Sequence, residues 1–187
     1  MGFTEVFVST HDEALKRAAA LDGGVPAVSG AVRIADITDF EIERLGDLAG
    51  TAVHASGADY ELAMVDVASD SLLGVPPAMV RALAELLTYE TEGEEVVLDD
   101  VAESWAAEED MPFGAEQAAR YVRQLAELAT AVDPASKSGL YVWTSCPDAA
   151  PELTGWGCQV EFPPLIWHNK QVLDLRGPSL RVRILSF

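Results

Sequence analysis

Basic residues are what this chain has least of. It has three lysines (Lys16, Lys137 and Lys170) and nine arginines against thirty-one Asp and Glu, for a formal net charge of −19. Between Leu45 and Ala119 Arg81 is the single cation facing seventeen acids, and none lies from Ala82 to Ala119, where twelve of those acids fall. Such a surface repels nucleic acid and anionic membrane, which are bound through Lys and Arg, and attracts basic protein surfaces or cations. Cysteine is nearly absent: Cys146 and Cys158 stand alone with no C-x-x-C spacing, so no zinc or dithiol motif exists, and both are expected to be reduced. His11, His54 and His168 are far apart and fit neither H-x-x-x-H nor H-E-x-x-H. No window holds enough consecutive apolar residues to span a membrane, and Met1 to Val8 lacks the basic n-region of a signal peptide. Thr4 is wrongly spaced from Gly2 for myristoylation. The expected location is cytoplasmic.

The apolar share is ordinary. Of 187 residues 49% are hydrophobic, which argues against disorder. One domain over 1–187 is expected, since a chain of this size buries about 70% of its unfolded surface without staples. Low Lys and high Ala also suit a GC-rich genome or adaptation to salt. That explains the total charge better than its clustering.

Local signals give an order of elements. Phe3 to Ser9 reads as a buried strand. Thr10-His11-Asp12-Glu13 is a capping box for a helix to Leu21, with Ala14, Leu15, Ala18 and Leu21 inward and Asp22-Gly23-Gly24 as its stop. Ala31 to Ile37 is a second strand. Thr38-Asp39-Phe40-Glu41 is a second box, with Ile37 and Ile42 as the staple, for a helix that Gly50 stops. Tyr60 to Ala68 is apolar on both faces and reads as an interior strand. Pro76-Pro77 opens a helix striped by Met79, Val80, Leu83, Leu86 and Leu87. Asp99-Asp100-Val101 opens a short helix with Val101 and Trp105 on one side.

Ala115 to Val132 has the cleanest helical spacing, with Ala118, Tyr121, Val122, Leu125, Leu128, Ala129 and Val132 inward, and Asp133-Pro134 ends it. Leu140 to Thr144 is a strand, and Gln159 to Phe162 a short one. Gln171 to Leu175 and Leu180 to Phe187 form a closing, mildly basic hairpin. Arg181 and Arg183, with Arg176 and Lys170 nearby, line its edge rather than a nucleic-acid patch. The expected fold is α+β, a mixed and mostly antiparallel sheet with helices packed on it, with a parallel α/β sheet as the second choice.

No motif carries recognisable chemistry. Asp66 to Gly74 lacks the alternating carboxylates and distal Glu of an EF-hand. Gly23-Gly24 and Gly155-x-Gly157 have neither phosphate-loop spacing, so no cofactor is expected. Cys146 needs a histidine such as His168 to become a thiolate nucleophile. Ser104 and Ser145 lack a G-x-S-x-G context. Adjacent exposed acids such as Glu94-Glu95 and Asp99-Asp100 do not provide the unequal environments that acid–base catalysis needs.

What remains is the acidic stretch itself. Val96, Val97, Leu98, Val101, Trp105, Met111 and Phe113 run through it, so it is no solvated tail. Aromatic anchors ringed by carboxylates suit capture of a basic protein surface. The expected partner-binding residues are Glu90, Glu92, Glu94, Glu95, Asp99, Asp100, Glu103, Glu108, Glu109 and Asp110, with Trp105 and Phe113 as anchors. The competing reading puts those two rings in the core.

The run Val101-Ala102-Glu103-Ser104-Trp105-Ala106-Ala107-Glu108-Glu109, a helix, and then Leu140-Tyr141-Val142-Trp143 resembles uncharacterised small acidic proteins of GC-rich actinobacteria. In size, charge and fold class the chain is also similar in type to immunity proteins, which cover the active site of a toxin. No functional residue is carried over from either. The expected function is a non-enzymatic inhibitor whose acidic face occludes a basic toxin, a nuclease or nucleotide-handling enzyme. The alternatives are a small enzyme with a cleft site and an acidic housekeeping domain. No oligomeric state is assigned.

Overall fold

A computed structural model describes residues 2–25, 30–55, 59–66, 69–89 and 96–145. In chain order they form β1 (Phe3–Thr10), α1 (His11–Asp22), β2 (Ala31–Ala35), α2 (Asp39–Ala52), β3 (Ala63–Asp66), β4 (Ser69–Gly74), α3 (Pro77–Glu85), α4 (Val96–Ala106), α5 (Ala115–Thr130) and β5 (Ser138–Thr144). The sheet order is β2-β1-β5-β4-β3, and every pairing is antiparallel. This is an α+β fold. None of the helices among the described residues is long and apolar enough to cross a membrane. The expected strands at 159–162, 171–175 and 180–187 lie outside the described residues.

Alternation along β1 sorts the two faces. Thr4, Val6 and Val8 point to a large core shared with α2, α3, α4 and α5, while Phe7 points to a smaller one closed by Ala14, Ala18 and Leu21 of α1, with Leu72 and Trp143 beside them. The stripe expected for α5 is the one observed: Ala118, Val122, Leu125 and Ala129 are buried, and Tyr121, Leu128 and Val132 half-buried.

Helix ends follow local chemistry. The Thr38 backbone N–H donates to Glu41 Oε2 at 2.7 Å and the Phe40 N–H donates to Thr38 Oγ1 at 3.3 Å, closing the cap of α2, with Ile37 and Ile42 both buried beside it. At Thr10 the expected box does not form. Its hydroxyl donates to Glu13 Oε2 at 3.1 Å and no backbone N–H is capped. The end of α1 pairs Gly24 N–H with the Leu21 carbonyl and Val25 N–H with the Ala20 carbonyl, and Gly24 sits at φ +76°. That is a Schellman motif, which needs a left-handed residue where glycine stands.

Two further expectations are corrected. Tyr60 to Ala68 is not an interior strand. Tyr60 and Leu62 are buried as irregular chain, Tyr60 Oη donating to the Ala55 carbonyl and Leu62 N–H donating to Glu43 Oε1, so the strand starts at Ala63 and forms the sheet edge, with Met64 exposed. Most of Asp66 to Gly74 is β4, whose Leu72 faces α1 and whose Leu73 faces the large core. Gly50 does not stop α2, which runs on to Ala52, and His54 at φ +57° takes the left-handed position beyond it. Gly50 serves packing instead: the Tyr60 ring lies over it where a β-carbon would sit.

Candidate functional site

Helix α4 places the acids. Leu98, Val101, Ala102 and Trp105 are buried at helical spacing. At 100° per residue, Asp99, Asp100 and Glu103 then share one arc on the opposite side, and all three are exposed. The chain leaves α4 through Glu108, Glu109 and Asp110, with Asp110 at φ +66°. Glu108 accepts from Arg44 Nη2 of α2 at 2.8 Å, and Arg44 Nη1 reaches Asp47 at 3.4 Å. The hydrogen bond and charge of Glu108 hold the Arg44 guanidinium above its ordinary value against desolvation, with a lesser contribution from Asp47. Asp99, Asp100, Glu103, Glu109 and Asp110 make no ion pair with any described residue. Glu90, Glu92, Glu94 and Glu95 lie outside the described residues.

The two expected anchors are placed elsewhere. Trp105 is fully buried, and its indole N–H donates to the Glu41 carbonyl oxygen at 2.8 Å. Phe113 is buried against it edge-on at 5.1 Å, and Tyr121 stands edge-on to Phe113 at 5.3 Å. Both rings belong to the core, so neither can reach a partner from the folded state. The acidic face has carboxylates but not these aromatics.

Other candidates resolve into structure. His11 and His54 are exposed on separate elements, and no group of three potential metal ligands exists among the described residues. The Ser145 hydroxyl accepts from Phe3 N–H at 2.6 Å and donates to the Phe3 carbonyl at 3.0 Å, which pins β1 to the end of β5. Cys146, Cys158, His168 and the Gly155–Gly157 pair lie outside the described residues. A groove of about 530 Å³ runs along Glu116, Arg120, Arg123 and Glu127 on the outer side of α5, and one of about 230 Å³ lies by Arg81 and Glu85. Neither joins a nucleophile to a base among the described residues.

Glu5 was not singled out in the sequence. Fully buried on β1, it accepts from Arg17 Nε and Nη2 at 3.1 and 2.8 Å through Oε1, and from Arg33 Nε and Nη2 at 3.3 and 2.9 Å through Oε2. The guanidinium carbons of Arg17 and Arg33 stand 4.2 and 4.0 Å over the rings of Phe7 and Phe3. Both oxygens of this buried carboxylate thus carry charge-assisted hydrogen bonds, two from each guanidinium. The signal was present: a Glu inside an otherwise apolar strand and an Arg inside the next. Phe40 was also passed over as a surface group, and at 62% exposure it is the one exposed Phe, Tyr or Trp among the described residues.

No protein-family model, no curated protein and no solved structure matches this chain.

Proposed function

We propose that this chain is a non-enzymatic protein-binding domain of the immunity type, whose acidic face covers the active site of a basic toxin such as a nuclease or nucleotide-handling enzyme. One observation carries the reading: Asp99, Asp100 and Glu103 lie on one exposed side of α4, without an ion-pair partner among the described residues, in a stretch that has no Lys or Arg from Ala82 to Ala119. Carboxylates fixed on a helix stand where phosphates would in a cationic cleft. They speed encounter through long-range attraction and block the cleft once seated. The resemblance in type to immunity proteins agrees with this, and so does the expected cytoplasmic location, where such an inhibitor meets its toxin.

The test starts with the product of the neighbouring reading frame, purified and mixed with the full chain. Its association rate should fall at least about tenfold between about 50 mM and about 500 mM NaCl. Asp99→Asn/Asp100→Asn/Glu103→Gln should lower both the low-salt rate and its salt slope. An association rate indifferent to ionic strength sinks the proposal.

A further inference from the structure

The acidic surface lacks the aromatics expected for it, yet an exposed aromatic stands at its edge. Phe40 lies in the first turn of α2, on the side away from buried Ile42, Leu45, Gly46 and Ala49. Phe40, Arg44 and Asp47 fall on one ridge at i, i+4 and i+7. Arg44 on that ridge holds Glu108, and the Glu41 carbonyl next to Phe40 receives the Trp105 indole. Phe40 thus stands one helical turn from the junction of α2 with the end of α4, where the chain continues into exposed Glu109 and Asp110. Asp36 and Asp39, both exposed, precede it. Arg44 is the single Lys or Arg between Arg33 and Arg81, and its guanidinium is taken up by Glu108 and Asp47.

We infer that Phe40 is the apolar anchor of a docking surface for a basic protein segment, one that presents Lys and Arg around an apolar contact. This rests on the protein-binding reading above and adds a residue to it. Charge complementarity selects the occupant. Exposed Asp36 and Asp39 precede Phe40 and exposed Glu109 and Asp110 follow the α2–α4 junction, while the Arg44 guanidinium of the ridge is paired, so a second copy of this −19 chain would be repelled, whereas a cationic partner is drawn in. An aromatic ring with few rotatable bonds, ringed by charges that set the approach, is the usual composition of a strong contact.

Two synthetic amphipathic helical peptides with equal Lys and Arg content provide the probe. One carries a Leu/Trp stripe; in the other Ser replaces the stripe. The full chain should bind the striped peptide more tightly. Phe40→Ala should weaken that binding about tenfold and leave the Ser peptide unchanged, while Phe40→Leu keeps most of the affinity. At 62% exposure Phe40 can be replaced without loss of the fold, which circular dichroism verifies. The inference is overturned if the striped peptide does not bind, if Phe40→Ala changes neither peptide, or if it weakens both equally. It is also overturned if sedimentation shows a dimer that Phe40→Ala dissociates. Should Asp99→Asn/Asp100→Asn/Glu103→Gln weaken binding while Phe40→Ala does not, the anchor falls and the protein-binding reading stands; if neither variant weakens it, both fall.

Discussion

The Trp105 indole N–H donates to the Glu41 carbonyl oxygen at 2.8 Å, and this bond fastens α4 to the first turn of α2. The ring is fully buried, with Phe113 edge-on against it. The carboxylates of α4 are therefore held at a fixed orientation to α2. Trp105→Ala should destabilise the fold by about 3–5 kcal/mol, through lost transfer energy and a cavity. Trp105→Phe, which loses the donor and part of the ring, should cost about 1–2 kcal/mol. Urea unfolding followed by circular dichroism measures both, and near-equal midpoints for Trp105→Ala and the parent chain would refute the account.

The triad Arg17–Glu5–Arg33 gives an ordered set of effects. Removing Glu5 leaves two guanidiniums without the carboxylate they share, on a face covered by α1. Glu5→Ala should cost about 2–4 kcal/mol. Arg33 is 43% exposed and rehydrates when its partner goes, so Arg33→Ala should cost only about 1 kcal/mol, with Glu5 still held by Arg17. Arg17→Ala should fall between the two, because that side chain is 19% exposed. An order with Arg33→Ala the most harmful would contradict the geometry.

Much of the fold was legible because it is written in short-range chemistry. Thr38 and Glu41, the i, i+3, i+4 stripe of α5, and Gly24 beyond α1 each act within a turn or two of chain. Thr10 shows the limit: the same four-residue pattern forms a side-chain bond to Glu13 without capping a backbone N–H. Tyr60 to Ala68 was read as an interior strand because an apolar run looks alike whether sheet or helices cover it; Ala63–Asp66 is a strand, but at the sheet edge, and contacts to α2 take Tyr60 and Leu62 instead. For the acidic face, the side that Asp99, Asp100 and Glu103 share follows from helical spacing. The depth of Trp105 depends on where α2 lies, and no local signal gives that. The outward position of Phe40 could have been read from Ile42, Leu45 and Ala49 turning inward.

The two glycines of α2 predict different outcomes for one substitution. Both stand inside the helix, where alanine gains up to about 1 kcal/mol of propensity. At Gly50 a β-carbon would run into the Tyr60 ring and hydroxyl, whose bond to the Ala55 carbonyl fixes the chain after α2. Gly50→Ala should be net destabilising by about 1–3 kcal/mol. Tyr60→Leu in the same chain should recover part of that loss. At Gly46 the β-carbon meets the Met79 thioether at 2.8 Å, the far end of an unbranched side chain that can swing aside. Gly46→Ala should stay within about 1 kcal/mol of the parent. Thermal melts of the three variants check this, and a Gly50→Ala protein as stable as the parent would remove Tyr60 from its place.

Tyr141 of β5 predicts a loss of stability at alkaline pH. Burial raises its phenol above the ordinary 10.0, because the charged phenolate is poorly solvated beside Phe7, whose ring lies 6.1 Å away. Between 10.0 and the raised folded value the native state keeps a proton that the unfolded chain has released. The native state therefore binds more protons, and stability falls as pH rises. The contribution is fully present below the unfolded value and is lost as pH rises through the folded one. The urea midpoint of the parent chain should thus drop more between about pH 9 and about pH 11 than that of Tyr141→Phe, which has no phenol to ionise. Ultraviolet difference titration should show one fewer late-ionising tyrosine in that variant. Equal pH slopes for the two proteins would mean that the phenolate of Tyr141 is as well solvated in the folded chain as in water.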